Sequence, residues 1–476
     1  MNDATELAAE SPEGADTAKR PLGTGAATPR GMHDMTQGSV RGHVVRMTLF
    51  VLAGVTLQTL YGLVDIYWVG RLGKEAVAAV ALSSNLMFLS LAVTQMLSVG
   101  CVALVSQAAG KKEQREVQRL FNQAQCLATC AGALFLALTL GLRATYAESL
   151  AGDAATAELA KRFLLAFLPA LSLQFTLVAV GSALRGIGDM KPGLVAQTAS
   201  VLCNMVLAPF LVFGWIGGHP LGVAGASLAT LISTAGAVVG LAIYVLRGSS
   251  FLRLSLVDWR PDLAVWRKML GIGLPAGAEF LLTVITMGAV YVVIRPFGSE
   301  AQAAYGIGSR LFQAGLMPAV AIGFSVAAVV GQNFGSGAFA RVREARRESS
   351  KLTLGFMLIF TMLFQFAAEP IMAAFSASAA VISEGVGYLR VVSLGYAANG
   401  IVFVSGGVFQ GIGNTWPSLA ASSLRALLFV VPVFAMSHQT GFALHWIWRV
   451  TVGALLLQLV VQQLLLKREL RIKAPI

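Results

Sequence analysis

The chain has 476 residues, of which 56% are apolar and only 12% charged, and its mean hydropathy is +0.72. Soluble domains carry about 25% charged residues, so this composition excludes a chain of soluble domains and indicates a polytopic membrane protein. The formal net charge of +12 does not indicate nucleic-acid binding, because the basic residues lie in loops between apolar runs instead of along one stripe.

The predicted elements begin after a polar N-terminal segment. Residues 1–45 are rich in Ala, Gly, Thr, Pro and Ser and lack the basic-then-apolar order of a signal peptide, so we predict a disordered cytosolic tail. The apolar runs that follow, of about 20 residues or more, are each long enough to cross a bilayer as a helix. We predict twelve spans, at 46–70, 76–109, 120–142, 160–184, 193–214, 221–246, 269–295, 301–333, 352–374, 384–409, 418–436 and 442–466. The predicted domains are an N-lobe at 46–246, a cytosolic linker at 247–268, a C-lobe at 269–466 and a cytosolic tail at 467–476.

The distribution of basic residues predicts the orientation of these spans. With the N-terminus inside, 25 of the 35 lysines and arginines fall in inner segments and 6 in outer loops. Positive charge marks the cytosolic side, so we expect both termini in the cytosol. We expect a monomer that contacts membrane lipids.

The chain overlays itself at a shift of 225 residues. Twelve identities, with no gap, lie between Gly73 and Gly110 and their partners from Gly298 to Gly335, and they include Gln107 with Gln332. Each half therefore holds six helices, and an even number makes both halves enter the membrane in the same direction. The predicted fold class is an all-α integral membrane protein with two six-helix lobes, related by a pseudo-two-fold axis along the membrane normal.

A glycine-rich motif repeats at the same shift, as "LRGIGDMKPG" at 184–193 and "FQGIGNTWPS" at 409–418. A glycine-rich turn beside a basic residue can hold phosphate. It can also be a tight inner turn, in which glycine permits the backbone angles and proline begins the next helix. The second copy replaces Asp189 by Asn414 and Lys191 by Trp416, which favours the turn.

Several segments together resemble the MATE (multidrug and toxic compound extrusion) transporters. They are "LQTLYGLVDIYWVGRLGKEAVAAVAL" (57–82), "ALRGIGDMKP" (183–192), "NMVLAPFLVFG" (204–214), "GLPAGAEFLL" (273–282) and "VGQNFGSG" (330–337). The resemblance covers about 46–466. It implies two six-helix lobes around a central cavity, alternating access, and export of small organic solutes driven by H⁺ or Na⁺ without a nucleotide or another cofactor. The resemblance is to the prokaryotic type, which implies the cytoplasmic (inner) membrane of a bacterium.

Asp65 is the first candidate coupling residue. Gln58, Tyr61 and Asp65 share one helix face by their i, i+3, i+7 spacing, and a carboxylate beside polar groups in a cavity can bind a cation or a proton. The alternative is that Asp65 only reaches the outer interface near its helix end. An intramembrane carboxylate is a functional candidate by default, and this position matches the family's helix-1 aspartate.

Asn204 falls where the resemblance places the helix-5 asparagine of the family. Many members carry an aspartate four residues later, whereas this chain has Ala208. The resemblance therefore implies an incomplete two-carboxylate site in the N-lobe, so that Asp65 works alone or another group substitutes.

Glu279 is the candidate carboxylate of the C-lobe, and it matches the family's G-x-P-x-x-x-E segment. Its depth from the cytosolic side suggests Arg425 as a partner, and both a coupling role and a structural ion pair remain open. The family's other C-lobe cation site uses carboxylates where this chain has Thr283 and Asn399, so we expect these two residues only to line the cavity.

The remaining intramembrane cations leave a rival function open. Arg310 lies deep enough to line the cavity, while Arg390 is closer to the outer interface. A lipid-linked saccharide flippase of the same superfamily would want a cavity dominated by such cations, among them Arg310, Arg390 and Arg425. A dedicated metabolite exporter of that superfamily is a further alternative. No enzyme signature is found, since the five histidines are not at metal-ligand spacing and no nucleotide-binding motif occurs. We therefore expect an exporter of organic, cationic or amphipathic solutes and neither an enzyme nor a metalloprotein.

Overall fold

The computed structural model describes residues 31–215, 218–247, 251–439 and 441–474, apart from the side chains of Tyr61, Leu63, Asp65, Ile66 and Leu256. These residues form fifteen α-helices and two short 3₁₀ helices, and no strand occurs among them. The helices are α1 Val40–Gly70, α2 Lys74–Gly110, α3 Gln114–Gly141, α4 Arg143–Leu150, α5 Ala154–Gly186, α6 Lys191–Phe213, α7 Val223–Leu246, α8 Leu263–Ile294, α9 Gly298–Gly335, α10 Phe339–Phe366, α11 Ala368–Ala373, α12 Ala379–Ser393, α13 Tyr396–Gly411, α14 Trp416–Ser437 and α15 Leu444–Lys473. The 3₁₀ helices are Leu256–Trp259 and Arg295–Phe297.

Length and composition identify ten stretches of the described chain that can cross a membrane, and one of them, Leu263–Gly335, contains both α8 and α9. The chain reverses between these helices. The rings of Tyr291 and Tyr305 lie 5.0 Å apart, whereas 14 residues of straight helix would place their backbones about 21 Å apart. This stretch is therefore two spans.

Helices α12 and α13 meet at a bend of 52° and together make one further span. With this broken span, and with α8 and α9 counted separately, the described chain has the twelve predicted spans in two sets of six. Helices α1, α2, α3, α5, α6 and α7 form the N-lobe, and α8, α9, α10, α12/α13, α14 and α15 form the C-lobe.

Each lobe has its own apolar core. In the N-lobe, α5 packs against α2, α3 and α7 around Phe121 and Phe175. In the C-lobe, α13 packs against the equivalent helices α9 and α10 and also against α15, and Tyr396 is buried among aromatic and aliphatic side chains. A third cluster, which includes Val44 and Val330, joins α1 to α9 across the lobes. The two lobes thus pack as separate units that meet along α1, α2, α8 and α9.

Several predicted boundaries differ from the structure, because helices extend beyond their apolar runs. Helix α10 begins at Phe339 instead of 352, and α15 continues to Lys473 instead of 466. Both extensions are charged, which ends a hydropathy run but not a helix, because Arg, Lys, Glu and Ala are good helix formers. The predicted linker is shorter, since α8 already begins at Leu263. The predicted disordered tail is wrong for 31–45, where α1 begins at Val40 and Met35 is fully buried; residues 1–30 lie outside the described part.

Candidate functional site

Two glutamines join the lobes at one end of the molecule, and each repeats the other at the 225-residue shift. Nε2 of Gln107, on α2, donates to the carbonyl of Gly411 at the end of α13 (2.8 Å). Nε2 of Gln332, on α9, donates to the carbonyl of Gly186 at the end of α5 (3.0 Å). We call Gln107, Gly186, Gln332 and Gly411 the polar gate. Because each bond crosses from one lobe to the other, the gate closes the space between the lobes at this end.

The polar gate depends on close approach of the two backbones. A Cβ added to Gly110 would overlap the backbone of Gln332, and a Cβ added to Gly335 would overlap the backbone of Gln107. These glycines end α2 and α9 and are again repeat partners. Glycine is needed at both positions because any side chain would hold the lobes apart.

The repeated G-I-G motif supplies the acceptors of the polar gate. Gly188 and Gly413, the second glycines of the two copies, have φ values of +79° and +73°, and their amides donate to Arg185 and Gln410 at 3.0 Å each. Each copy is therefore the tight turn after a helix, and it leaves the helix's last carbonyl facing the other lobe. Of the two interpretations of the motif, the turn is correct.

Residues 31–39, which we call the inner strap, lie across the polar gate and bond to both lobes. The amide of His33 donates to the carbonyl of Ile187 in the N-lobe turn (3.0 Å). The amide of Met35 donates to Oε1 of Gln332 (2.9 Å), and Nδ2 of Asn333 donates to the carbonyl of Met35 (3.1 Å). Gln332 thus uses both ends of its amide in the closure.

Two charged residues extend this attachment. Asp34 forms an ion pair with Lys112 of the N-lobe (3.3 Å), and Arg341 of the C-lobe donates to the carbonyl of Gly38 (3.0 Å). Burial acts to raise the pKa of Asp34, but hydrogen bonds from Thr36 and the ammonium of Lys112 lower it below its usual value of 3.8. Asp34 therefore stays charged and keeps its ion pair at neutral pH.

The predicted N-lobe site is only partly visible. The side chains of Tyr61 and Asp65 lie outside the described part of the structure. Gln58 is exposed on α1, and its Oε1 accepts a hydrogen bond from Gln197 of α6 (3.1 Å). The polar face predicted for α1 thus faces α6 at Gln58, while the role of Asp65 stays a prediction.

Asn204 is buried on α6 and donates from Nδ2 to Oγ1 of Thr230 on α7 (3.2 Å). Thr230 in turn donates to the carbonyl of Ala226 (3.1 Å). Ala208, one turn further along α6, is also buried. A methyl group therefore occupies the position at which the resemblance implied a second carboxylate.

Glu279 lies on α8 in a polar cluster that it shares with α14. The hydroxyls of Ser418 and Ser422 and the guanidinium of Arg425 are the groups that act on its carboxylate. The predicted proximity to Arg425 is thus present, but their charged atoms are not within 4 Å of each other, so this is not a contact ion pair. Oε1 of Glu279 is buried and makes no hydrogen bond among the described residues.

Sequence reasoning missed the residues that surround this carboxylate. Ser418 and Ser422 accept hydrogen bonds from Gln462 (3.3 Å) and Gln458 (3.0 Å) of α15. The Oε1 atoms of both glutamines are buried without a hydrogen-bond partner among the described residues. The sequence does contain a signal for these residues, because the two serines and the two glutamines are polar pairs at i, i+4 spacing, each on one face of an otherwise apolar helix. Together with Glu279 and Arg425 these four residues form the C-lobe polar cluster.

The other predicted cavity residues do not join the C-lobe polar cluster. Thr283 is exposed one turn beyond Glu279 and donates to its carbonyl (3.0 Å), which is a bond within α8. Asn399 is half-buried on α13, and Arg310 is exposed on α9. Across the described ranges, no three His, Cys, Asp or Glu side chains are arranged to hold a metal ion.

Comparison with known proteins gives one family. The MatE family model matches residues 51–210 and again 275–436, one match in each lobe. A probable multidrug resistance protein NorM of Thermotoga maritima is 27% identical over 419 residues, covering 86% of this chain and 88% of that protein. An FAD transporter of Shewanella oneidensis is 23% identical, covering 85% and 89%. A solved multidrug resistance MATE family transporter has the same fold, with a TM-score of 0.85 at 22% identity over 92% of this chain and 98% of that one.

Proposed function

The chain belongs to the MatE family of membrane transporters, and from this premise we propose that it exports organic, cationic or amphipathic solutes in exchange for H⁺ or Na⁺. The observation that carries this proposal is the polar gate. Two repeat-related hydrogen bonds from side chain to backbone join the lobes at one end, and such bonds can break and re-form as the lobes rock.

The strength of the polar gate suits such a cycle. A neutral hydrogen bond contributes about 1 kcal/mol net, so the two glutamine bonds together hold about 2 kcal/mol. One monovalent cation that crosses a potential of 100 mV releases about 2.3 kcal/mol. Entry of a single coupling ion is therefore comparable in energy to opening these two bonds. We further propose that the gate faces the cytosol of a bacterial inner membrane, because Lys111, Lys112 and Arg341 surround it.

We assign the coupling ion to carboxylates within the lobes. Asp65 serves the N-lobe together with Asn204, and Glu279 serves the C-lobe. The unbonded Oε1 of Glu279 and the unbonded amide oxygens of Gln458 and Gln462 provide oxygen atoms for H⁺ or Na⁺. The ion drives export only if it binds the two states of the lobes with different affinity. The chain works as a monomer in this scheme, because one chain supplies both sides of the gate.

A second candidate is a dedicated exporter of an anionic metabolite. A relative is named an FAD transporter, and Arg310 is exposed on α9, one of the helices between the lobes. A cationic side chain there would attract a phosphorylated or carboxylated solute instead of an organic cation. The same family membership and gate apply to both candidates.

The test is efflux of ethidium and norfloxacin from cells that lack their major drug pumps. We expect efflux with the wild type, and loss of most of it with Asp65→Asn or Glu279→Gln. Glu384→Gln, which neutralises an exposed carboxylate on α12, is the matched control and should retain efflux. Collapse of the H⁺ or the Na⁺ gradient, each alone, identifies the coupling ion. Efflux that survives both substitutions and both collapses refutes the coupling scheme, and absence of drug efflux favours the anionic metabolite.

A further inference from the structure

A basic cavity lies between α10 and α15 at the same end of the C-lobe as the polar gate. Its volume is about 810 Å³, within the range of small-molecule sites. We call it the basic groove, and it is lined by Arg343, Arg346, Arg347, Ser350, Lys351, Leu354, Lys467, Leu470, Arg471 and Ala474. Six of these ten residues are cations, and none is an acid.

Helices α10 and α15 form the two walls of the basic groove, and the cations of each wall lie on one face of its helix. On α10 the four cations follow helical spacing from Arg343 to Lys351, and on α15 Lys467 and Arg471 are one turn apart. Arg343 donates to the carbonyl of Ala474 (2.9 Å), and Arg346 donates to Oε1 of Gln463 (2.6 Å). These two bonds hold the walls together and leave the other cations directed to the groove.

Half of the six cations have no bonded partner within the described part of the chain. Lys351 pairs with Glu348 (2.7 Å). Arg347, Lys467 and Arg471 are exposed and make no hydrogen bond or ion pair among the described residues. Cations held this close repel one another, so an anion bound among them would be stabilised by all of them.

The N-lobe provides an internal comparison, because α3 begins 225 residues before α10. The groove cations of α10 correspond to the uncharged Gln118, Phe121, Asn122 and Cys126 of α3. There the surface is covered by the chain itself, since Asn122 bonds to the carbonyl of Arg253 (2.9 Å) and Cys126 to that of Trp259 (3.3 Å). One lobe thus covers this surface with its own backbone, and the other leaves it uncovered by any described residue and lined with cations.

The surroundings of the basic groove identify the class of ligand. Leu354 lies at its edge, and further along α10 the apolar Leu358, Ile359 and Met362 are between 51% and 64% exposed, as expected for side chains that face lipid. On α15, Leu464 is also exposed next to Lys467. A ligand that fits both parts has an anionic head and an apolar tail.

We propose that the basic groove binds the phosphate headgroup of an anionic phospholipid, with its acyl chains along the exposed apolar faces of α10 and α15. Guanidinium groups bind phosphate oxygens in pairs, and basic pockets between membrane helices on the cytosolic side hold such headgroups. Free phosphate would bind the same cations, but it has no apolar part to contact the exposed faces of α10 and α15.

The test is native mass spectrometry of the full purified chain, titrated with phosphatidylglycerol, cardiolipin or phosphatidylcholine. We expect one anionic lipid to remain bound and phosphatidylcholine to bind at least tenfold more weakly. The variant Arg347→Gln/Lys467→Gln/Arg471→Gln changes only exposed side chains, and it should lower the affinity for the anionic lipid about tenfold or more.

The matched control is Arg115→Gln/Arg267→Gln/Lys268→Gln. It removes the same charge from exposed positions outside the basic groove and should change affinity less than twofold. Equal losses in both triple variants would show non-specific attraction and overturn the proposal. Displacement of the lipid by millimolar inorganic phosphate would show that the groove selects phosphate alone, which also overturns the lipid assignment.

One competitor lies in the chain itself. Residues 1–16 contain five acids and no Lys or Arg. The variant Asp3→Asn/Glu6→Gln/Glu10→Gln/Glu13→Gln/Asp16→Asn should leave lipid affinity unchanged. If anionic lipid binds this variant but not the wild type, the acidic segment is the occupant of the basic groove and the lipid proposal is wrong.

Discussion

Gln107 and Gln332 occupy equivalent positions in the two lobes, and each bonds the backbone carbonyl at the repeated turn of the opposite lobe. The two residues are not equal in environment. Gln332 is fully buried and also accepts a hydrogen bond from the amide of Met35, whereas Gln107 is only part-buried in its bond. Closure of the lobes is therefore symmetric in its bonds and asymmetric in its attachment to the inner strap.

This asymmetry predicts unequal effects of the same substitution. Gln332→Met leaves the amide of Met35 and the carbonyl of Gly186 without partners and should weaken the closed state by about 2–3 kcal/mol, against about 1 kcal/mol for Gln107→Met. The measurement is the distance between spin labels at Lys111→Cys and Ser336→Cys, in a background with the exposed Cys130 and Cys203 replaced by Ser. Both variants should show a longer distance than the wild type in part of the molecules, and this part should be larger in Gln332→Met than in Gln107→Met.

Gln118→Met is the control for this experiment, since Gln118 bonds the carbonyl of Phe251 within the N-lobe (3.3 Å) and crosses no gate. It should leave the distance between the labels unchanged. Equal distance distributions in all three variants would contradict a role of the glutamines in closure.

Because the backbones approach closely at the polar gate, a Gly→Ala substitution there should lower stability, whereas the same substitution elsewhere should raise it. Gly335→Ala or Gly110→Ala places a methyl group against the opposite backbone and should destabilise the closed state by about 1–3 kcal/mol. Gly355→Ala, on an exposed face of α10 with no atom near the added methyl, should raise stability by about 0.5–1 kcal/mol. Thermal unfolding of the purified variants measures both, and a stabilising Gly335→Ala would contradict the geometry.

Attachment of the inner strap should depend on pH through His33. Burial, Arg46 and His43 lower its pKa below 6.5, against a smaller opposing effect of Asp34. Nε2 of His43 bonds the carbonyl of Gln37 (2.6 Å), so its Nδ1 is the acceptor for Nε2 of His33 (3.1 Å). Because the pKa is lower in the attached state, attachment keeps its full strength above about pH 6.5 and weakens as the pH falls through the lowered value.

Hydrogen exchange of the Met35 amide measures this attachment. After correction for the intrinsic exchange rate, protection should be constant above about pH 6.5, fall as the pH drops below that value in the wild type, and stay nearly constant throughout in His33→Asn. The same pH dependence in both proteins would rule out His33 as the titrating group.

The C-lobe polar cluster predicts a coupled pair of charges. Arg425→Met removes the cation that acts on the carboxylate of Glu279 without contacting it, and should destabilise the protein by about 1–2 kcal/mol. The double variant Glu279→Gln/Arg425→Met should be less destabilised than the sum of the single variants, which thermal unfolding can test as a double-mutant cycle. Additive effects would mean that the two charges act independently.

Much of the fold could be predicted from local patterns. Hydropathy and helix length predicted twelve spans, and the shift of 225 residues predicted two equivalent lobes, because both signals lie along the chain. Charged helix extensions were missed at α10 and α15, since a helix continues into water when its residues favour it, whereas a hydropathy run does not. The inner strap was missed because its polar composition resembles a disordered tail, while its order comes from bonds to Ile187 and Gln332.

The candidate site, like the fold, could be predicted from the sequence only in part. The sequence by itself determined that Asp65 and Glu279 each occur in one lobe, that Gln107 repeats as Gln332, and that the G-I-G motif repeats with them. Only the tertiary structure decided that each glutamine bonds the other lobe's turn, and that serines and glutamines of two further helices surround Glu279. The physical reason is distance along the chain: Gln107 and Gly411 are 304 residues apart, and no local propensity specifies which carbonyl a side-chain amide will meet.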